Sequence, residues 1–107
     1  MRPIRIVPAY TLLLKYDIRP GMHEAYYRYV IGEFVPSVQQ MGLYMQDAWQ
    51  VPYGDYPERQ VEFVAEELGT VQRMFDNPLW EKLETRLKEY TENYSRRLIP
   101  YNGPFRV

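Results

Sequence analysis

The 107-residue chain predicts an α+β fold with strands and helices in the order strand, helix, strand, strand, helix, strand. Two observations carry that prediction. Apolar residues alternate with a period of two over 9–18, 43–51 and 60–66, and recur in steps of three and four over 22–41 and 78–94. Punctuating residues stand where one period gives way to the other: Arg19-Pro20-Gly21, Gly42 and Asp76-Asn77-Pro78.

Residues 1–8, with Pro3 and Pro8, read as an extended arm, because proline and the residue before it avoid helix. In the strand at 9–18 one face is Tyr10, Leu12, Leu14, Tyr16 and Ile18, and the other is Thr11, Leu13, Lys15 and Asp17. The second face is half apolar and half charged, so this is a central strand covered on both sides. Over 22–41 the stripe Met22, Tyr26, Tyr29, Val30, Phe34, Val38 and Met41 predicts one helix, kinked at Pro36 and given room by Gly32. Gly42 ends it.

The second strand, 43–51, carries Leu43, Met45, Asp47, Trp49 and Val51 on one face, with nothing to say which face is inward. Residues 52–58 are a loop, and 60–66 a third strand with Val61, Phe63 and Ala65 on one face. A short helix is expected over 68–75. A longer one follows, capped by Asp76 or Asn77 with Pro78 in its first position. Its seam is Trp80, Leu83, Leu87, Tyr90 and Tyr94, and its outer side holds a Glu84–Lys88 pair. The last strand is expected over 95–101 and the tail over 102–107.

This order is the ferredoxin-like βαββαβ arrangement with a four-stranded antiparallel sheet. Right-handed crossovers put its first and third strands in the middle and both helices on one face. An opposite face left bare with Leu, Trp, Val and Phe on it invites association, so two chains are expected to pair through their sheets into an α/β barrel.

Composition sets outer bounds. One domain spans residues 1–107. Thirteen basic and 14 acidic side chains give a net charge of -1, without the basic surplus that nucleic-acid binding needs. The absence of cysteine excludes disulfides and thiolate chemistry and fits a cytoplasmic protein. The N-terminal region has no apolar run longer than Leu12–Leu14, so neither a secretory signal nor a membrane span is expected. Eleven tyrosines stand out, a residue type suited to surfaces apolar at one end and polar at the other.

Ile18-Arg19-Pro20-Gly21-Met22 opens the first helix, Phe34-Val35-Pro36 lies late in it, and Gly42-Leu43 precedes the second strand. With Phe75-Asp76-Asn77-Pro78-Leu79-Trp80-Glu81-Lys82-Leu83 in the second helical region, these resemble the dimeric α/β barrel superfamily. Within it, the NIPSNAP-like and antibiotic-biosynthesis-monooxygenase-like groups are the nearest in pattern. The resemblance implies a homodimer whose barrel holds a small apolar or aromatic molecule, with cofactor-free oxygenase or isomerase chemistry as one outcome. A non-catalytic structural or binding dimer is the alternative. Haem degradation in this superfamily uses a histidine of the later helix, and residues 80–94 contain none, so that activity is not expected; no cofactor is assigned.

Two residues are candidates for catalysis. His23, the sole histidine, is a base at the barrel mouth or simply an exposed residue of the first helical turn. A single histidine cannot supply a typical zinc site without several carboxylates converging on it, so no metal site is expected. Asp47, if inward, is a carboxylate with a raised pKa that serves as general base, or else half of an ion pair with Arg97 or Lys15. Lys15, Asp17, Tyr16, Trp49 and Arg97 are the expected ligand-binding set. Ser37 and Ser95 have no histidine nearby in sequence, and no glycine-rich phosphate loop is present.

Overall fold

The computed structural model describes residues 7–50 and 59–101, with the side chains of 47–50 excepted. Its strands are β1 (Tyr10–Ile18), β2 (Tyr44–Gln50), β3 (Arg59–Ala65) and β4 (Thr91–Pro100). Its helices are α1 (His23–Tyr29), α2 (Val35–Gln40), α3 (Leu68–Asp76) and α4 (Pro78–Glu89), and a π-helical segment, Val30–Phe34, joins α1 to α2. The sheet runs β2-β3-β1-β4 with every neighbour antiparallel, so β1 and β3 are central as expected.

The helices cover one face. Leu12, Leu14, Tyr16 and Ile18 of β1 and Val61, Phe63 and Ala65 of β3 pack against Tyr26, Tyr29, Phe34 and Val38 of the first helical stretch. Val71, Met74, Trp80, Leu83 and Leu87 close the same core from α3 and α4.

The expected kink takes the form of a π-turn. Val35 N–H donates to Val30 O, five residues back, and the backbone stays right-handed helical from Tyr29 to Val35. This turn sits just ahead of Pro36, where a proline cannot donate and its ring crowds the carbonyl four residues earlier. It also keeps Tyr29 and Phe34, five positions apart, both on the core side.

Several boundaries moved. Asn77 caps α4, its Oδ1 accepting from Leu79 N–H at 2.9 Å. β4 begins at Thr91, four residues before its expected start, so Tyr94 belongs to the sheet and not to the helix seam. The shift has a local cause: Asn93 adopts φ 56°, a left-handed conformation that asparagine tolerates, and the β1–β4 register slips between Lys15 and Asp17. Glu84 does not serve an outer Lys88 pair. It accepts from Tyr94 Oη and Arg96 Nη1, each at 2.8 Å, while Lys88 lies over the Tyr94 ring.

The other sheet face is not bare at its centre. Thr11, Leu13, Glu62 and Val64 are all buried within the single chain, whereas Ser95 and Arg97 at the β4 edge are exposed. Among the described residues no helix is long and apolar enough to cross a membrane. The expected arm is described only from Val7, and the loop and tail expectations lie outside the described residues.

Candidate functional site

A pocket of about 270 Å³ opens between the first helical stretch and the β2–β3 side of the sheet. Tyr26 and Tyr27 of α1, Val30 and Ile31 of the π-turn, Val35 of α2, Met45 of β2, and Arg59 and Val61 of β3 line it. The π-turn shapes its mouth. An extra residue in that turn presents Val30 and Ile31 at the opening, and π-turns recur at ligand sites for this reason. Ile31 is 70% exposed, with Met45 and Tyr27 also partly in solvent, so the rim is apolar. The pocket exceeds the roughly 150 Å³ that encloses a benzene ring and lies just under the common range for larger ligands.

Its polar groups are few. Tyr26 Oη lies 2.5 Å from Tyr16 Oη, and the two rings meet edge to face. The Tyr27 ring packs on Tyr26 at 5.1 Å, and the Arg59 guanidinium sits over Tyr27 at 4.9 Å. Arg59 Nε is buried and has no hydrogen-bond partner. Behind this group, Tyr16 stacks on Tyr94, whose hydroxyl donates to Glu84.

The tyrosines behind the pocket are held neutral. Burial, reinforced by neighbouring Tyr26, pushes the Tyr16 phenol far above its ordinary value. Burial and the hydrogen bond to Glu84 do the same for Tyr94. Tyr16 and Tyr94 are thus hydroxyl donors and acceptors at neutral pH, not phenolate bases.

A larger groove of about 620 Å³ runs between Tyr29 and Glu33 on one side and α4 residues such as Lys82, Arg86 and Glu89 on the other. Its charged rim faces solvent, and Arg86 lies over the Tyr29 ring, whose hydroxyl donates to Leu83 O at 2.7 Å. It has the character of a solvated helix junction.

The residues singled out from the sequence fall in three places. Tyr16 stands behind the pocket through its contact with Tyr26. His23 is exposed at the first turn of α1 and lines neither cavity. The rest belong to the sheet. Backbone register sets Asp47 opposite Glu62, Glu62 opposite Leu13, and Leu13 opposite Arg97. Two positions along the strands, the register row is Trp49, Gln60, Lys15, Ser95. Each row spans about 14 Å of sheet. The β2–β3 register slips between Met45 and Asp47, so the expected face does not alternate without interruption from Met45 to Trp49. The side chains of Asp47 and Trp49 lie outside the described residues. Asp17, half-buried, accepts from Asn93 Nδ2 at 2.8 Å.

Two residues escaped the sequence reading. Arg59 falls between the expected loop at 52–58 and the expected strand at 60–66 and belongs to neither there; it is the first residue of β3. Glu62 alternates with Gln60 and Val64, but only the assembled sheet reveals that it is buried. Among the described residues, no cluster of three or more histidine or carboxylate side chains could hold a metal ion.

No family model matches the chain, and no curated protein matches its sequence. Solved structures do match in fold. An uncharacterised NIPSNAP domain protein from Burkholderia xenovorans superposes with a TM-score of 0.66 at 14% identity, covering 92% of this chain and 98% of that one. A dimeric ferredoxin-like protein from an uncultured marine organism gives 0.65 at 13%, covering 94% of each. SnoaB, a cofactor-independent oxygenase from Streptomyces nogalater, gives 0.62 at 10%, covering 91% and 96%. The ferredoxin-like fold expected from element order, and the resemblance to the NIPSNAP-like and monooxygenase-like groups, are both met again in these structures.

Proposed function

We propose that this protein is a homodimer that binds a small apolar or aromatic molecule in the pocket between the helix at 23–40 and strands β2 and β3. The observation that carries the reading is the lining. Among the described lining residues, seven apolar or aromatic side chains surround about 270 Å³, and Arg59 with the tyrosine hydroxyls is left to orient a guest. The dimeric state of one structural neighbour and the exposed β4 edge support pairing of two chains. The pocket lies on the helix side of the sheet and so does not depend on the partner chain.

Thermal shift with aromatic ligands tests the reading. A ligand at ten times its Kd adds about 1.4 kcal/mol, a rise in Tm of roughly 5–10 °C. Val30→Phe, which fills the pocket, should abolish that rise while leaving the protein folded. No shift with any aromatic ligand would overturn the site, and a monomeric mass by light scattering at micromolar concentration would overturn the dimer.

A second reading places the site between the two sheets, with Asp47 as base and Lys15, Asp17, Trp49 and Arg97 around the ligand; oxygenase or isomerase turnover belongs to this reading. What favours it is Thr11 Oγ1, buried on that face with no hydrogen-bond partner, two register positions from Glu62. Asp47→Ala and Trp49→Phe decide between the two. They should leave binding unchanged if the helix-side pocket is the site, and weaken it if the ligand lies between the sheets.

A further inference from the structure

We infer that the ligand of this pocket is an acid, an aromatic body carrying one carboxylate that pairs with Arg59. The inference rests on the pocket reading above and adds the chemical class. Among the described lining residues, Arg59 is the one charged side chain beside Tyr26, Tyr27, Val30, Ile31, Val35, Met45 and Val61. None of the described lining residues is acidic, so among them the positive charge meets no counter-charge. Its contact with the Tyr27 ring engages the charge through the ring face but occupies none of the five N–H donors. Nε in particular is buried without an acceptor, and buried donors in folded proteins are nearly always matched.

A carboxylate answers this geometry better than other groups. Its two oxygens accept from the guanidinium fork in a bidentate pair that a neutral carbonyl or hydroxyl cannot reproduce. The pairing takes place beside apolar side chains, where water competes poorly and the attraction is strengthened. The rest of the molecule then lies between Val30, Val35 and Met45, with the Tyr26 face as its aromatic floor. The Tyr16–Tyr26 hydroxyl pair offers a second polar contact at the inner end.

Isothermal calorimetry with 2-naphthoate and its neutral isostere 2-naphthamide tests this. Wild-type protein should bind the carboxylate at least about 10-fold more tightly than the amide, the scale of one charge-assisted hydrogen bond. In Arg59→Gln that preference should vanish, with amide binding nearly unchanged. Arg59→Lys, which keeps the charge but loses the fork, should fall between. Equal binding of both probes to wild type, with both lost in Val30→Phe, would overturn the acid assignment and leave the pocket standing. Failure of both probes to bind wild type, or binding that survives Val30→Phe, would overturn the pocket itself. If Arg59→Gln does not fold, the wild-type ratio of the two probes still decides.

Discussion

The hydroxyl oxygens of Tyr16 and Tyr26 lie 2.5 Å apart, one on the central strand β1 and the other on the first turns of the covering helix. This contact ties the sheet to the helix where the pocket opens, and it leaves each ring free to pack on a further tyrosine, Tyr94 or Tyr27. Removing one hydroxyl by Tyr16→Phe should cost about 1–2 kcal/mol, the net worth of a buried hydrogen bond and the desolvation of its partner. In a double-mutant cycle with Tyr26→Phe, urea unfolding should return a coupling energy of about 1 kcal/mol. Additive losses would mean that the two hydroxyls do not act together.

Alkaline pH should destabilise the fold through the same group. The unfolded chain ionises Tyr16 near pH 10, whereas burial and Tyr26 hold the folded phenol neutral well beyond that. Above pH 10 the unfolded state releases a proton that the folded state keeps. Stability is therefore full below about pH 10 and falls as pH rises, at up to about 1.4 kcal/mol per pH unit from this residue. Tyr29 and Tyr94 shift in the same direction, from burial first, and steepen the fall. Urea midpoints at pH 8, 10 and 11 measure the slope, and Tyr16→Phe should flatten it.

Gly42 closes the first helical stretch with φ of 100°, and a Cβ there would lie 2.7 Å from Thr70 Cγ2. Gly42→Ala therefore meets both a left-handed backbone and a clash with α3, and should lower stability by about 1–3 kcal/mol. Thr70→Ser removes the clashing methyl. In combination it should recover part of the loss, since the backbone strain stays. Full recovery would show that φ contributes nothing.

Asn77→Ala should cost about 1 kcal/mol, because its Oδ1 is the side-chain acceptor for Leu79 N–H at the start of α4. Asp76→Ala should be close to neutral, since the neighbouring acid does not form the cap seen here. Equal effects at the two positions would contradict the cap assignment.

Local chemistry alone determined much of this fold. Period-two and period-3.6 patterns placed β1, β2, β3 and the helices, because alternation and helical stripes reflect which side of an element meets the core. Pro36 and Gly32 signalled the irregular helix, and Pro78 the start of α4. The same local reading put Tyr10, Leu12, Leu14, Tyr16 and Ile18 on the helix side of β1, where the last four are buried and Tyr10 is half-buried.

What remained hidden depended on residues far apart in sequence. Tyr94 continued the helical spacing of α4, yet Asn93's left-handed turn and pairing with β1 carry it into the sheet, because a ladder of backbone hydrogen bonds outweighs a weak local periodicity. Glu84 found Tyr94 and Arg96 across that turn in place of Lys88 on its own helix, since two partners held by the sheet outweigh an exposed pair. The pocket joins residues from three segments, and Arg59 became a candidate only once the π-turn and β3 stood beside each other. A side chain's type and spacing are written in the chain; its burial, and therefore what its charge or hydroxyl can do, is settled by the distant residues that pack around it.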